Sequence, residues 1–413
     1  MKKVLCFALT LAMVFSLAAC GSAGNAASEA KSQAAAAVSE AKSEAAAAVS
    51  EAKSEAAAAV SEVKEEAAEA VSEVKEEAAE AVSEAAEAAE AALGEVTWNP
   101  DNIGEHKFVL AHGLPETGMT GVQYHEFALA VEELSGGKMI VEEKIGGTLL
   151  ADTETLDAVM DGTIDFCHSM GSYVSGTITD LSPLTIAGYY AGDNWKGFVK
   201  DTHDLIESIY ADYGIKYLGA LYQNNSAIVC TERQIKSPGD VAGLTFRASG
   251  TWVSKTVEAW GGAATTIGLA DLADAFNKKT VAGTATGYNI IVPFKLYEVA
   301  KYITETTISE GFAALLMNGD TWASLNEDEQ ALIQAAGDIF QDKSFEIGTQ
   351  FGNDYIKAIE ESGMNEIYQL SDEEQKEFQE LAFGLFDQMI DEAGLGEKGI
   401  QLIDELKKIN GIS

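Results

Sequence analysis

The sequence predicts an α/β protein in which a two-lobed head, residues 97–413, follows an N-terminal extension. Strand-like and amphipathic helical segments alternate after Gly94. Strand-like segments occur on both sides of Ala227, which indicates two sheets with the chain crossing between them. Residues 26–92, in contrast, consist almost wholly of Ala, Ser, Glu, Lys and Val. A length of 413 residues suits one two-lobed unit with such an extension.

The net charge restricts the partners that the chain can bind. It has 27 Lys+Arg and 66 Asp+Glu, a formal charge of −39 at pH 7. Nucleic acid is excluded as a partner, because phosphate binding needs a basic face and there is no basic stretch beyond the first three residues. Direct binding to anionic lipid headgroups is disfavoured for the same reason.

Residues 1–19 have the pattern of a secretion signal. Two lysines precede an apolar run at residues 4–17, which is shorter than the roughly 20 residues that span a bilayer. The small residues before Cys20 resemble the lipobox of bacterial lipoproteins, which implies that Cys20 is lipidated. An ordinary signal peptide with an incidental cysteine is the alternative. We expect an exported protein, anchored by acyl chains to the outer face of the cell membrane or held in the periplasm.

Residues 20–96 are predicted to form the lipid anchor and an acidic spacer. Valine recurs every eleven residues from Val38 to Val82, and eleven residues make three helical turns at about 3.67 residues per turn. The valines would line one stripe of a helix, but the lysines lack favourably spaced acidic partners and several glutamates repel one another. We expect a helix-prone spacer. A disordered acidic tether and a self-associating coiled coil are the alternatives.

Hydrophobic periodicity and turn residues predict the elements of the head in order. The β-α-β-α-β order at its start indicates a parallel sheet with crossover helices. Strands are predicted at residues 107–111, 139–144, 164–167, 215–221, 227–231 and 244–247, and near Val281 and Ile290. Helices are predicted at residues 121–134, 152–161, 195–210, 252–260, 269–277, 326–362 and 372–393. The helix that Asn326 opens is long enough to run across the whole molecule.

The cysteines and histidines give no sign of a metal or other cofactor. Cys167 and Cys230 are the two cysteines of the head. Export permits a disulfide between them, and two buried free thiols are equally compatible with the sequence. The five histidines are scattered, and no CxxC or HExxH spacing occurs. We therefore expect no cofactor and no metal.

Several segments of the head together resemble one protein family. They are residues 136–138 (Gly-Gly-Lys), 146–150 (Gly-Gly-Thr-Leu-Leu), 156–166 (Leu-Asp-Ala-Val-Met-Asp-Gly-Thr-Ile-Asp-Phe), 235–247 (Ile-Lys-Ser-Pro-Gly-Asp-Val-Ala-Gly-Leu-Thr-Phe-Arg) and 294–302 (Phe-Lys-Leu-Tyr-Glu-Val-Ala-Lys-Tyr). In this order they are similar to the DctP-type solute receptors of TRAP transporters, bacterial extracellular solute-binding protein family 7. The resemblance covers roughly residues 106–393.

The resemblance implies a fold and a function. The fold is the two-lobed, periplasmic-binding-protein-like fold, with long C-terminal helices. The function is an extracytoplasmic receptor that closes on a small organic acid and delivers it to the TRAP membrane subunits, without chemistry of its own. An enzyme is disfavoured, because no nucleophile, metal or phosphate-loop arrangement occurs in the sequence. A structural surface lipoprotein that works through its coiled-coil spacer is the remaining alternative.

Arg247 is the residue that we expect to bind the ligand carboxylate. It ends the segment that resembles the family's ligand-clamping arginine, and a guanidinium can give a carboxylate two parallel hydrogen bonds. The alternative is a structural arginine paired with a nearby acid. Alignment to the family's ligand-facing loops implies further candidates, and Trp252, just after Arg247, could wall the pocket with its aromatic face. These candidates are His112, Ser169, Met170, Asn224, Asn225, Trp252, Thr286, Tyr288 and Asn289.

Two departures from the family bear on the ligand. Many relatives have a second arginine where this chain has Ser226-Ala227-Ile228, and a Gly-Gln-Glu-Asn stretch where it has residues 283–289. A dicarboxylate held by Arg247 alone would bury one uncompensated negative charge, at a cost of several kcal/mol. A monocarboxylate is therefore favoured, although His112 and His168 could supply positive charge or hydrogen bonds.

Overall fold

The computed structural model describes residues 98–186, 195–223, 226–306 and 312–411. The predicted signal peptide, Cys20 and the whole of the repeat spacer lie outside the described residues. Within the described ranges the strands form one sheet of five strands and one of six, both covered by helices. The α/β class and the two-lobed arrangement predicted from the sequence are therefore confirmed.

The strands are β1 (His106–Ala111), β2 (Met139–Lys144), β3 (Phe166–Met170), β4 (Ile215–Leu221), β5 (Ser226–Cys230), β6 (Thr245–Ala248), β7 (Ala263–Thr266), β8 (Gly283–Gly287), β9 (Tyr302–Thr306), β10 (Ala313–Asn318) and β11 (Glu366–Gln369). The helices are α1 (Met119–Leu134), α2 (Thr155–Met160), α3 (Gly171–Val174), α4 (Trp195–Ala211), α5 (Thr251–Ala259), α6 (Leu269–Asn277), α7 (Tyr288–Ile291), α8 (Leu296–Val299), α9 (Gly319–Ser324), α10 (Glu327–Ser362), α11 (Asp372–Phe383), α12 (Phe386–Ala393) and α13 (Glu397–Ile409). Short 3-10 turns precede several of them.

Lobe 1 is built on the sheet with strand order β2-β1-β3-β10-β4. β1 pairs in parallel with both β2 and β3, as the β-α-β-α-β pattern predicts, and β10 is antiparallel to β3 and β4. The sheet is apolar on both faces. Alternate residues of β10 show this, because Ala314 and Leu316 join one hydrophobic cluster while Leu315 and Met317 join the other.

Lobe 2 is built on the sheet with strand order β11-β9-β5-β8-β6-β7. β6 pairs in parallel with β7 and β8, and β5 is antiparallel to β8 and β9. β5 separates two further hydrophobic clusters, with Val229 in one and Ile228 in the other. Within each set of parallel strands the carboxyl ends lie at one edge of the sheet, and this edge is where open α/β sheets bind ligands.

The 36-residue helix α10 contributes to the cores of both lobes. Asn326 caps its start by accepting from the Asp328 and Glu329 amides, and Glu329 in turn accepts from the Asn326 amide. Gly363 ends the helix in the left-handed conformation, with φ at 61°. The N-terminal half packs into lobe 1 through residues such as Phe340, and Ile359 near the other end packs into lobe 2.

The structure also corrects several of the predicted elements. The strand expected near Ile290 is wrong, because these residues form the short helix α7. The helix expected at residues 372–393 is two helices, α11 and α12, separated at Gly384-Leu385. The sequence reading missed helix α13 and strands β7, β9, β10 and β11. Apolar runs of four to six residues fit a strand or a buried helical turn equally well, which explains the error at α7.

The two cysteines of the head are free and buried, one in each sheet, so the alternative without a disulfide is correct. Burial raises the pKa of the Cys167 thiol. Of the helices in the described ranges, none combines the length and apolar character that crossing a membrane requires.

Candidate functional site

A cleft of about 350 Å³ lies between the two lobes. From lobe 1 it is lined by residues that follow β1 and β2 and by residues that lie in or follow β3. From lobe 2 it is lined by residues that lie in or follow β6 and by residues that follow β7 and β8. The lobe 1 side is Leu114, Asp152, His168, Met170 and Tyr173, joined by Gln223 after β4; the lobe 2 side is Arg247, Ser249, Leu269, Asn289 and Ile290. The strand-end edges of the two sheets therefore face one cleft, as the fold class predicts.

Arg247 lies in the wall of this cleft with its side chain buried. It sits in β6 between β7 and β8, opposite Thr265 and Thr284, and is 2% exposed. Its Nε donates to the main-chain oxygen of Ile267 at 2.9 Å, which fixes the plane of the guanidinium. An arginine stays protonated in proteins, so this wall carries a permanent positive charge in a poorly solvated site.

Two neutral polar side chains accompany Arg247 on the lobe 2 side. Ser249 comes directly after β6 and lines the same cleft. It is 6% exposed, and its hydroxyl has no hydrogen-bond partner among the described residues. The Asn289 side-chain oxygen, after β8, is also buried without a partner in the described part of the chain. A hydroxyl and an amide can both bind a carboxylate or a neighbouring polar group.

Asp152 and His168 form the polar part of the lobe 1 side. The Thr155 hydroxyl lies 2.9 Å from the main-chain oxygen of Asp152 and 2.9 Å from that of His168, and its one proton can be donated to either of them. The Asp152 carboxylate accepts from the Gly113 amide. Nδ1 of His168 lies 2.9 Å from the hydroxyl of Tyr124. The anchoring contacts of both side chains thus come from lobe 1.

The two histidines near the cleft are neutral at pH 7. Burial lowers the pKa of His168 below its usual value of 6.5, against a smaller opposing effect of Asp152. Burial also lowers the pKa of His112 to about 4, and the nearby His168 adds to this effect. These neutral rings can therefore supply hydrogen bonds to a ligand but not positive charge.

The structure brings three of the sequence candidates together in the cleft, namely Arg247, Met170 and Asn289. Gln223 donates to the sulfur of Met170 at 2.8 Å and fixes this thioether against the lobe 1 side. The candidates that are buried but do not line the cleft are His112, Ser169, Trp252, Thr286 and Tyr288. Asn224, Asn225 and Cys20 lie outside the described residues.

Three of the candidates that do not line the cleft have packing roles. The His112 ring lies 5.3 Å from the Tyr124 ring. Trp252, although it belongs to α5 of lobe 2, packs into a hydrophobic cluster of lobe 1. The Tyr288 hydroxyl donates to Glu305 at 3.1 Å. Each of these side chains supports elements that border the cleft.

The sequence reading missed several residues of the cleft. Asp152 and Ser249 are the most polar of them, and both lie beyond the carboxyl end of a parallel strand. That strand-end position is a signal that could have identified them. Leu114, Tyr173, Gln223, Leu269 and Ile290 were also missed, and a lone apolar residue or glutamine in a loop offers no such signal. In the described part of the chain, no group of His, Cys, Asp and Glu side chains could hold a metal ion.

Comparisons with known proteins agree on one family. The model described as "Bacterial extracellular solute-binding protein, family 7" (DctP) matches residues 110–392. The ectoine-binding periplasmic protein TeaA of Halomonas elongata is 24% identical over 218 residues, which are 50% of this chain and 61% of that protein, less than two thirds of its length. The C4-dicarboxylate-binding protein DctB of Bacillus subtilis is 22% identical over 282 residues, 66% of this chain and 78% of that protein.

A solved structure extends the comparison to the fold. DctP7 of Bordetella pertussis, an extracytoplasmic solute receptor that binds pyroglutamic acid, has a TM-score of 0.66. The match has 16% sequence identity and covers 73% of this chain and 99% of that chain. At this identity the likeness concerns the arrangement of the two lobes.

Proposed function

Because the chain belongs to family 7 of the bacterial extracellular solute-binding proteins, we propose that it is an extracytoplasmic receptor of a TRAP-type transporter. It binds a small organic acid between its two lobes and delivers it to the membrane subunits. The family consists of solute-binding proteins rather than enzymes. The observation that carries the proposal is the buried guanidinium of Arg247 in the wall of the cleft.

A carboxylate is the ligand group that suits this guanidinium. The charge-assisted hydrogen bonds between a carboxylate and a planar guanidinium are strong and directional. The adjacent Ser249 hydroxyl adds a donor on the same side of the cleft. The relatives named above bind ectoine and pyroglutamic acid, each with one carboxylate, and C4-dicarboxylates. A small organic acid is common to all three.

A monocarboxylate suits the charges of the cleft better than a dicarboxylate. Among the residues described as lining it, Arg247 is the one with a permanent positive charge, and Asp152 adds a negative charge. A second ligand carboxylate would lie buried without a countercharge and close to that aspartate, and uncompensated charges in such sites cost several kcal/mol. The proposal is therefore an arginine clamp for one carboxylate.

We further propose that the receptor is held at the membrane by a lipid on Cys20. The support is the apolar run that ends in small residues before this cysteine. The acidic spacer would then project the two-lobed head from the membrane. Labelling of the expressed protein with a radioactive fatty acid tests this, and Cys20→Ser should abolish the label; a label that persists in this variant would contradict it.

Ligand-induced stabilisation of the purified full-length chain tests the receptor proposal. We expect at least one small carboxylate from a broad panel to raise the melting temperature, and Arg247→Ala to abolish the rise. The chain contains one other arginine, Arg233, which is exposed and donates to the main-chain oxygens of Asp240 and Ala242. Arg233→Ala is therefore a matched control that should keep the rise. A panel without effect on the wild-type protein would contradict the proposal.

A further inference from the structure

The two contacts of the Tyr124 hydroxyl indicate which nitrogen of His168 carries the proton. The Tyr124 hydroxyl donates to the main-chain oxygen of Ala314 at 3.0 Å, and a carbonyl oxygen can only accept. A hydroxyl has one proton to donate, so this contact and the 2.9 Å contact with Nδ1 of His168 are both hydrogen bonds only if Nδ1 donates to the hydroxyl oxygen. On this ground we assign the proton of the imidazole to Nδ1. In the neutral ring Nε2 is then a bare acceptor.

Nε2 of His168 is an acceptor for which lobe 1 supplies no donor. Within the described ranges it has no hydrogen-bond partner, although His168 is 1% exposed and lines the cleft. Leaving a buried acceptor without a donor is unfavourable. A ligand that brings an N–H or O–H group to this position would satisfy it.

Asp152 places a second acceptor on the same wall. The Thr155 hydroxyl lies 2.9 Å from the main-chain oxygens of both Asp152 and His168, so the two residues are close neighbours. The Gly113 amide donates to one carboxylate oxygen, and no lysine or arginine of the described residues pairs with this carboxylate. We call the Asp152 carboxylate and Nε2 of His168 the acceptor pair.

The acceptor pair faces a cleft whose other side carries Arg247. One side therefore offers a permanent cation and the other offers a carboxylate and a neutral acceptor. We propose that the ligand is a monocarboxylate with an N–H group, its carboxylate at Arg247 and its N–H at the acceptor pair, so that Asp152 and His168 determine specificity. This rests on the proposed function and narrows its ligand class. A cationic N–H group is bound better than a neutral one, because Asp152 is charged.

Four ring-matched carboxylates test the proposal on the wild-type full-length chain by titration calorimetry. L-Proline has a cationic N–H₂ group, pyroglutamate has a neutral N–H, and tetrahydrofuran-2-carboxylate and cyclopentanecarboxylate have no donor. We expect the two N–H ligands to bind at least about tenfold more tightly than the two without a donor, since hydrogen bonds to charged groups are the strong ones. Proline is expected to be the tighter of the two.

Variants locate the selectivity at the acceptor pair. Asp152→Asn is expected to lower the affinity for proline about tenfold or more and to change that for cyclopentanecarboxylate less than about twofold. Asp157→Asn is the matched control, because Asp157 is an exposed aspartate of the adjacent helix α2. The melting temperature of each unliganded variant shows whether it is folded.

The tautomer of His168 provides a test that needs no variant of Asp152. In ¹⁵N–¹H spectra that report histidine tautomers, His168 should be protonated at Nδ1 and bare at Nε2. The resonance is identified by its loss in His168→Gln. Protonation at Nε2 would overturn the proposal.

The calorimetric outcomes distinguish this proposal from the proposed function. If the two ligands without a donor bind as tightly as proline, the acceptor pair has no role in specificity, while carboxylate binding at Arg247 stands. If no carboxylate binds the wild-type chain, both proposals fail. The role of the acceptor pair in specificity is supported if the wild-type chain prefers the N–H ligands, if Asp152→Asn removes this preference and if Asp157→Asn keeps it.

Discussion

Nε of Arg247 donates to the main-chain oxygen of Ile267, and this bond orients the guanidinium toward the cleft. Ile267 lies just beyond β7, next to the strand that carries the arginine. The orientation is therefore set by the pairing of two neighbouring strands in lobe 2. A guanidinium whose plane is fixed before the ligand arrives loses less freedom on binding, and this favours two parallel bonds to a carboxylate.

Arg247→Lys should weaken carboxylate binding although it keeps the charge. A lysine can neither make the bond to Ile267 nor present a planar fork. We expect the affinity for any carboxylate that stabilises the wild-type protein to fall at least about tenfold, which corresponds to the loss of one charge-assisted hydrogen bond. Titration calorimetry measures the change. An unchanged affinity would mean that charge alone, and not the fork, holds the ligand.

Gly250→Ala should impair ligand binding through a clash between the lobes. Gly250 precedes α5 of lobe 2, and a methyl group there would lie 2.5 Å from the main-chain oxygen of Ser172 in α3 of lobe 1. Its φ of 179° is an extended conformation that any residue adopts, so the effect is steric. We expect weaker ligand binding and a larger radius of gyration by small-angle X-ray scattering in the presence of ligand.

Gly176→Ala is the control for this substitution, because a Cβ at Gly176 meets no atom within 4 Å. It should bind ligand like the wild-type protein. Equal affinities of Gly250→Ala and Gly176→Ala would show that this contact between the lobes is not needed for binding.

Glu329→Gln should destabilise the protein by about 1–2 kcal/mol, since it removes part of a helix cap and a carboxylate with several donors. Glu329 accepts from the amides of Gly104 and Asn326 and from the imidazole of His106. Burial by itself would raise the pKa of Glu329, but these donors outweigh it and hold the pKa below its usual value of 4.5. Denaturant titration measures the loss. Glu327→Gln, an exposed neighbour in the same turn, should change stability much less.

The contribution of Glu329 should disappear in acid. Its pKa is lower in the folded protein than in the unfolded chain, so its stabilising effect is fully present above pH 4.5 and is lost as the pH falls through the folded-state pKa. The difference in stability between the wild-type protein and Glu329→Gln should therefore shrink in that range. A difference that is constant with pH would contradict the assigned bonds.

The buried histidines should make the protein less stable in mild acid. Burial lowers the pKa of His112 from 6.5 to about 4 and lowers that of His168 as well. Between pH 6.5 and about pH 4 these histidines take up protons in the unfolded chain but not in the folded protein. The free energy of unfolding therefore falls as the pH decreases through this range. Melting temperatures across this range test the expectation. His112→Gln should make the melting temperature depend less steeply on pH. His125→Gln, at an exposed histidine, should change this dependence less.

The sequence predicts best those elements that local residues determine. The bounds of β2 and of helix α10 agree with the prediction, because the turn residues Gly136-Gly137 mark the start of β2 and because Asn326 and Gly363 mark the ends of α10. Strand β10 was missed since its buried apolar run, residues 313–317, has no period of two and fits a strand or a buried helical segment equally well. The break at Gly384 was missed because a single glycine does not by itself end a helix.

The residues of the candidate site likewise include some that a local motif identifies and some that only the folded structure reveals. Arg247 could be found from its motif and its position at a strand end. The acceptor role of His168 could not be found, because it depends on a tyrosine whose hydroxyl bonds a main-chain oxygen 190 residues away. The packing role of Trp252 likewise depends on the contact of α5 with lobe 1. Such pairings across the chain leave no local pattern.

Helix α10 has a consequence for how the head unfolds. Phe340 is buried in a cluster of lobe 1 and Ile359 in a cluster of lobe 2, and both belong to one uninterrupted helix. Neither lobe can lose its structure without withdrawing apolar surface from the core of the other. The two lobes should therefore melt together in a single cooperative transition, with matching calorimetric and van't Hoff enthalpies, rather than as two independent domains.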